Sequence, residues 1–449
     1  MESVIKEIRS RVDPSDNERE NLQDVAGKLE SRVQEVAGDL DFDVTTVQTG
    51  STARGTWVSG DRDIDLFIEF DSSLSEESLE SRGTEIGELV LPDGVNDFAS
   101  HPYRKGEVDG FDIDLVPCFA VDTASDIKSA VDRTPFHTRY LEPRLNEELA
   151  SDVRVAKMFL KGTGAYGSDV RTQGFSGFLT ELLVIEEGGF ISLLQAAQDW
   201  DLPVNYDPEN HASKTFDDSL VVIDPTDPER NVAANLSREN LLRFQLNARL
   251  FFDNPNVSFF ERVINENEDM VRSRLENRGS EIVSIEFPRP NVVEDTLFPQ
   301  LRRTRNSLVQ NLENRGFGVI RSTEMANDDT AVVFLDMENT TVPNVETVEG
   351  PPVNIQDGVD NFLEEYENNG SVVGPFIDGD RLVVERQRDF TDASDFIRSD
   401  DLFASVAMGA DIESEIRNNL TIQHGDDAID ELISSGFTRE LTAFFEPEI

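Results

Sequence analysis

The segment that most restricts the fold is Gly50-Ser51, followed after eleven intervening residues by Asp63-Ile64-Asp65-Leu66-Phe67-Ile68-Glu69-Phe70. The alternating start and apolar continuation read as a β-strand, reached through a turn that follows another strand-like run, Phe42 to Thr49. Side chains alternate across a strand, so Asp63 and Asp65 project from the same side. An isolated Asp-x-Asp is usually the solvent face of an edge strand; a Gly-Ser turn before it and an apolar run after it make that reading poorer. Paired carboxylates suit Mg²⁺, which takes one or two of them and leaves its other positions to water and phosphate oxygens. The turn offers the backbone N–H groups of Gly50-Ser51 and the Ser51 hydroxyl to a triphosphate.

A phosphoryl-transfer site of this type needs a third carboxylate from a neighbouring strand. Phe111-Asp112-Ile113-Asp114-Leu115-Val116-Pro117-Cys118-Phe119 supplies two candidates. Asp114 lies deeper in the apolar run, where an unpaired carboxylate is costly unless a cation neutralises it, and is preferred over Asp112. Cys118 reads as a small buried side chain with no catalytic role, and as the single cysteine it permits no intrachain disulfide. His101, His211 and His424 share no ligand spacing, so no zinc site is read from them.

At 449 residues the chain calls for two to four packed units, and 38% hydrophobic residues in periodic blocks argue against disorder. No apolar run approaches the roughly 20 residues that span a bilayer, and the N-terminus lacks a signal-peptide layout, so a cytoplasmic protein without a membrane partner is expected. The formal charge of −50 is dispersed rather than gathered in a tail. That pattern suits a cell with molar internal salt, where a Debye length of about 3 Å leaves surface carboxylates nearly indifferent to one another. Lysine is confined to Lys6, Lys28, Lys105, Lys128, Lys157, Lys161 and Lys214. Lys6 and Lys28 read as ordinary helix-surface residues. Lys161, one helical turn after Lys157, would add positive potential on the same face.

Residues 1 to 37 read as two amphipathic helices separated at Asp13-Pro14-Ser15-Asp16, with proline at the first helical position after an acidic cap. A helix around 75 to 90 and a hairpin through Phe111 to Pro117 complete a small α/β unit. Helical periodicity then dominates in Val153 to Leu160, Gly177 to Trp200 and Ser237 to Phe252. Two strand pairs follow, around Gly316 to Met337 and Gly374 to Arg388, with an amphipathic helix (Val359 to Tyr366) between them. The expected domains are 1–140, 141–257, a body of 258–312 with 398–449, and a tail of 313–397.

Gly50-Ser51-Thr52-Ala53-Arg54-Gly55-Thr56-Trp57 with Asp63-Ile64-Asp65 and Asp112 to Cys118 resembles the catalytic head of the archaeal, class I CCA-adding enzymes, which are tRNA nucleotidyltransferases of the polymerase β-like superfamily. The resemblance continues through Val131 to His137, Gly174 to Gly177 and Asp224 to Leu236, and more loosely through Phe298 to Leu301 and Gly374 to Ile377. It departs from the family in its extreme acidity and scarce lysine, as a halophilic member would. It implies an α+β multidomain protein: a nucleotidyltransferase head, a helical neck like that of poly(A) polymerases and oligoadenylate synthases, a mixed body and a small α/β sandwich tail.

Residue by residue, the resemblance implies that Asp63, Asp65 and Asp114 bind two Mg²⁺ ions, with Mn²⁺ the alternative. Gly50, Ser51, Arg54, Lys157 and Tyr166 would hold the triphosphate of CTP or ATP, Thr134 and His137 would sit near its ribose, and Arg230 would help to read its base. The reaction implied is template-independent addition of C, C and A to the tRNA 3′ end, with pyrophosphate released. The tail would grip tRNA by duplex shape, with Arg302, Arg303 and Arg305 as candidate phosphate contacts or, equally, salt-bridged helix-surface residues; a homodimer is left open. Two rivals share parts of this pattern. A poly(A) polymerase or oligoadenylate synthase shares the Gly-Ser and carboxylate core, and a catalytically inactive RNA-binding protein would keep the fold without needing aspartates in apolar strand runs.

Overall fold

The computed structural model describes residues 1–98, 101–262, 266–366 and 372–447. The chain divides into two compact units, on either side of residue 263.

The first unit opens with helices α1 (Glu2–Val12) and α2 (Asp16–Asp39). They separate where the sequence suggests, but Ser15 is the cap: it accepts from the Glu18 backbone N–H, and the Glu18 carboxylate accepts from the Ser15 N–H. Pro14 therefore precedes the helix rather than starting it, because a Ser-x-x-Glu box satisfies two end groups at once.

Next come β1 (Val44–Thr49), the single-turn α3 (Gly50–Ala53), β2 (Asp63–Asp71), α4 (Glu76–Val90), β3 (Val95–Phe98), β4 (Pro102–Val108) and β5 (Phe111–Ala120). The sheet order is β1-β2-β5-β4-β3, with β2 and β5 parallel and the other pairs antiparallel. Ile64, Leu66, Ile68, Ile113 and Leu115 join Leu22, Val25, Leu29 and Val33 of α2 and Leu79 and Ile86 of α4 in one core. Strand alternation therefore sends Asp63, Asp65, Asp112 and Asp114 to the opposite face. On that face Phe67, Val116 and Cys118 form a small apolar cluster. Burial pushes the Cys118 thiol well above its ordinary pKa, in keeping with an inert side chain.

The rest of the first unit is α5 (Thr134–Leu141), α6 (Glu147–Gly162), α7 (Gly177–Glu187), α8 (Phe190–Gln198), β6 (Val204–Tyr206), β7 (Leu220–Asp224), β8 (Asp227–Asn231) and α9 (Arg238–Asp253). The helical stretch read over Gly177 to Trp200 is two helices, broken at Gly188-Gly189, whose φ values of 76° and 140° no other residue adopts readily. At the centre of this neck, Phe159 meets Phe190, Phe244, Phe251, Phe259 and Phe260 at centroid distances of 5.6 to 6.1 Å.

The second unit contains α10 (Glu268–Arg278), β9 (Glu281–Pro288), α11 (Glu294–Glu313), β10 (Val319–Ala326), β11 (Thr330–Met337), β12 (Val345–Pro352), α12 (Gln356–Tyr366), β13 (Val372–Asp378), β14 (Arg381–Gln387), α13 (Ala393–Arg398), α14 (Asp400–Ser405), α15 (Ala410–Asn419), β15 (Thr421–His424), α16 (Gly425–Ser434) and α17 (Thr438–Phe445). The two strand pairs read from the sequence enter different sheets. β10 and β11 extend the order β10-β11-β9-β15, while β12-β14-β13 forms a three-stranded sheet packed by α12. The reason lies in β11, whose buried run Ala331 to Met337 needs a partner on each edge and finds β9 opposite β10. No helix among the described residues is long and apolar enough to cross a membrane.

Candidate active site

Parallel pairing sets Asp63 opposite Asp112 and Asp65 opposite Asp114. Asp114 is half-buried and Asp112 exposed, the order of preference read from the sequence. Burial first, then repulsion from Asp114 and Asp63, pushes the Asp65 carboxyl up to about 6. Burial also raises Asp63, with Asp61 and Asp112 adding to it, and raises Asp114 against the pull of Lys105. Asp63, Asp65 and Asp114 on one face, all three held above the ordinary range, are a donor set that a divalent cation would relieve; oxygen-only ligands fit a hard ion.

Gly50 makes the approach possible. Its φ is +73°, and a Cβ there would stand 2.0 Å from Asp65 Oδ2, so only glycine lets that carboxylate lie against the turn. Ser51 follows at once, its backbone carbonyl accepting from the Thr56 N–H at 2.9 Å, which closes the loop that carries Arg54. Lys105, given no role on sequence grounds, pairs with Asp114 across β4 and β5, and its Nζ lies 3.8 Å from Asp114 Oδ1.

The neck grips this loop from below. Arg154 of α6 donates to the Gly55 carbonyl and to Asp13, and Lys157 Nζ donates to the Thr56 carbonyl at 3.0 Å. Glu181 of α7, fully buried, accepts from Arg54 Nη2 at 2.8 Å, lies 3.6 Å from Lys157 Nζ and accepts from the Thr56 hydroxyl. Burial pushes the Glu181 carboxyl up, but Arg54, Lys157 and Thr56 together hold it below the usual range. Arg54 and Lys157 thus share one buried anion; burial and the nearby Arg54 lower the pKa of the Lys157 ammonium, and Glu181 pulls it back up. Tyr166 lies against the same group, its hydroxyl 3.3 Å from where a Cβ of Gly177 would stand, and Lys161 sits over its ring at 5.5 Å while reaching Asp61 at 3.6 Å. Glu181 escaped the sequence reading; a lone acid within Gly177-Phe178-Leu179-Thr180-Glu181-Leu182-Leu183-Val184 was the available signal.

Farther along, α5 begins at Thr134, with Pro135 in its first turn, and presents His137 one turn later. The imidazole stacks on Phe178 at 3.8 Å and 17°, and its Nε2 lies 2.8 Å from Asp224 Oδ2. Arg230 Nη1 donates to the same oxygen, also at 2.8 Å. Burial pushes the Asp224 carboxyl up, yet the hydrogen bond and charge of His137 and two Thr226 donors hold it well below the usual range. The structure thus brings Gly50, Ser51, Arg54, Lys157 and Tyr166 together, and joins His137 to Arg230 through Asp224. In the second unit, Arg302 and Arg305 of α11 both pair with Glu324, at 3.2 and 2.5 Å, whereas Arg303 is exposed.

Three family models match in chain order: the nucleotidyltransferase domain over residues 28–137, the tRNA nucleotidyltransferase second domain over 151–261, and the CCA-adding enzyme C-terminal domain over 278–425. The CCA-adding enzyme of Haloarcula marismortui is 46% identical, covering 100% of this chain and 99% of the relative. That of Halorubrum lacusprofundi is 48% identical over the same shares. Among solved structures, the Cid1 poly(U) polymerase covers 58% of this chain and 98% of its own at 16% identity, with a TM-score of 0.45. With relatives matched end to end and the carboxylate-bearing strands inside the nucleotidyltransferase match, the chain belongs to the CCA-adding enzymes, a family of tRNA nucleotidyltransferases.

Proposed function

We propose that this chain adds C, C and A in turn to the 3′ end of tRNA, from CTP and ATP, and restores that end when it is incomplete. The observation that carries the reading is the in-register pairing of Asp65 with Asp114 beside the Gly50-Ser51 turn, within a chain whose full-length relatives are named CCA-adding enzymes. Asp63, Asp65 and Asp114 would hold Mg²⁺, or Mn²⁺ in its place. Once bound, the ions supply charge that polarises the attacking hydroxyl and steadies the departing oxygens.

The chain's own residues do the rest by position and charge. Ser51, Arg54 and Lys157 hold the triphosphate so that the acceptor's 3′-hydroxyl meets the α-phosphorus in line with the bond to the β-phosphate. The new oxygen–phosphorus bond forms as that bond breaks, the hydroxyl proton passes to solvent, and pyrophosphate leaves against the positive charge that Glu181 keeps in place. Tyr166 packs beside the phosphates, Thr134 and His137 face the ribose, and Arg230, steadied by Asp224, addresses the base. Arg302, Arg303 and Arg305 contribute to the hold on tRNA phosphates, Arg303 being the exposed member.

The test is incubation of full-length protein in about 2 M KCl with Mg²⁺, labelled CTP or ATP, and tRNA transcripts ending before, within or after CCA. Stepwise extension that stops at CCA is expected, and Asp65→Ala should abolish it with the fold intact. Long A-only tails would move the function to poly(A) synthesis, and no incorporation by folded protein would leave only RNA binding.

A further inference from the structure

The geometry points to a transition-metal site built from Glu76, Glu80 and His101, separate from the carboxylates of β2 and β5, which takes an imidazole-accepting divalent ion of the Zn²⁺ type. Glu76 and Glu80 stand one turn apart at the start of α4 and so share a face. His101 lies immediately before β4. One ligand atom from each residue falls within 4.8 Å of the others, and among the described residues no other three acidic, histidine or cysteine side chains do this.

Three observations favour an ion over an ordinary contact. First, His101 Nδ1 lies 3.7 Å from Glu76 Oε1 and 3.6 Å from Glu80 Oε1. Those separations are long for hydrogen bonds but near the edge of a tetrahedron with bonds of about 2.1 Å, which is about 3.4 Å. Second, His101 is 2% exposed, yet neither ring nitrogen has a hydrogen-bond partner among the described residues. A buried imidazole is normally paired, so an unpaired Nδ1 aimed at two carboxylates is a ligand in want of a cation. Third, the ring is fixed edge-on against Phe119 of β5 at 6.2 Å and 87°, so its direction is set before any ion arrives.

Glu76 is 72% exposed and Glu80 36%, which leaves an open position for water and a path for entry. One nitrogen and two carboxylate oxygens suit Zn²⁺ better than Mg²⁺, which prefers oxygen alone and keeps most of its water. Loading would tie the start of β4 to the start of α4. β4 also carries Lys105, 3.8 Å from Asp114, so the ion would steady a strand that borders the active carboxylates.

The site is tested on the full-length chain carrying Asp63→Asn, Asp65→Asn and Asp114→Asn, which removes binding at the active carboxylates, in about 2 M KCl to suppress diffuse attraction to the acidic surface. Equilibrium dialysis should find one Zn²⁺ per chain, with a rise in melting temperature that equal Mg²⁺ does not reproduce. Glu76→Gln and Glu80→Gln should each weaken Zn²⁺ roughly tenfold or more. Co²⁺ in place of Zn²⁺ should give the visible absorption of a four-coordinate site, lost in His101→Gln. Absence of stoichiometric Zn²⁺, or unchanged binding in both glutamine variants, would overturn the proposal. Because both glutamates are at the surface, those two variants probe the site whether or not His101→Gln folds.

Discussion

His137 and Arg230, far apart in sequence, are bound to each other through a single oxygen: each lies 2.8 Å from Oδ2 of the buried Asp224. The first comes from α5 and the second from β8, so Asp224 fixes the spacing of the two groups that the proposed function sets toward the ribose and the base. Asp224→Asn should raise KM for both CTP and ATP more than it lowers kcat, which steady-state kinetics on tRNA ending in CC or C would read. The same carboxyl makes a pH-dependent contribution. Its folded pKa lies below the ordinary value of about 3.9, so its stabilisation is full above that pH and is lost as pH falls through the depressed value. Acid titrations of unfolding should therefore be shallower below about pH 4 in Asp224→Asn.

Glu181→Gln leaves Arg54 and Lys157 facing each other in a buried space without their shared counter-charge. A loss of about 3–5 kcal/mol is expected, as for other broken buried ion groups. Denaturant unfolding in molar KCl measures it, and salt should rescue little because the group is out of solvent's reach.

Gly50→Ala places a methyl where Asp65 Oδ2 now lies and demands a left-handed backbone of alanine. The carboxylate must move, and displacement near 1 Å in such a site costs on the order of 100-fold in rate. Single-turnover incorporation should fall by at least that factor while circular dichroism keeps the native spectrum.

Phe159→Ala empties the centre of the aromatic cluster in the neck. The expected cost is about 3–5 kcal/mol, read by chemical denaturation. Its rings-only contacts with Phe190, Phe244, Phe251, Phe259 and Phe260 make folding stability the quantity expected to change most.

Arg303→Ala should weaken tRNA binding about equally for all tRNA sequences and reduce the slope of log K against log salt by about 1. Arg302→Ala and Arg305→Ala should do less per residue, because each shares Glu324.

What could be read in advance was whatever depends on chain-local pattern. Period-two alternation put Asp63 and Asp65 on one face, and the Gly-Ser turn and neck helices stood out in the same way. What could not be read depends on distant segments meeting. Nothing in spacing shows that Glu181 reaches Arg54 across more than a hundred residues, that Lys105 borders Asp114, or that His101 meets Glu76 and Glu80 on a helix well upstream. The split of the later strand pairs between two sheets was hidden for a related reason: β11 takes β9 as its second neighbour, and that choice rests on packing in the whole unit.

The matched lines of β2 and β5 carry a further consequence. Side chains alternate, so shifting either strand by one residue would bury its aspartates in the α2 side of the sheet and send Ile64 and Leu66, or Ile113 and Leu115, to the other face. A single residue inserted between Asp114 and Leu115 would put the aspartates out of step with the apolar run that anchors β5, and the carboxylate face would be lost without removing one of its residues. For this chain, the count of residues within a strand is as much a part of the design as the carboxylates themselves.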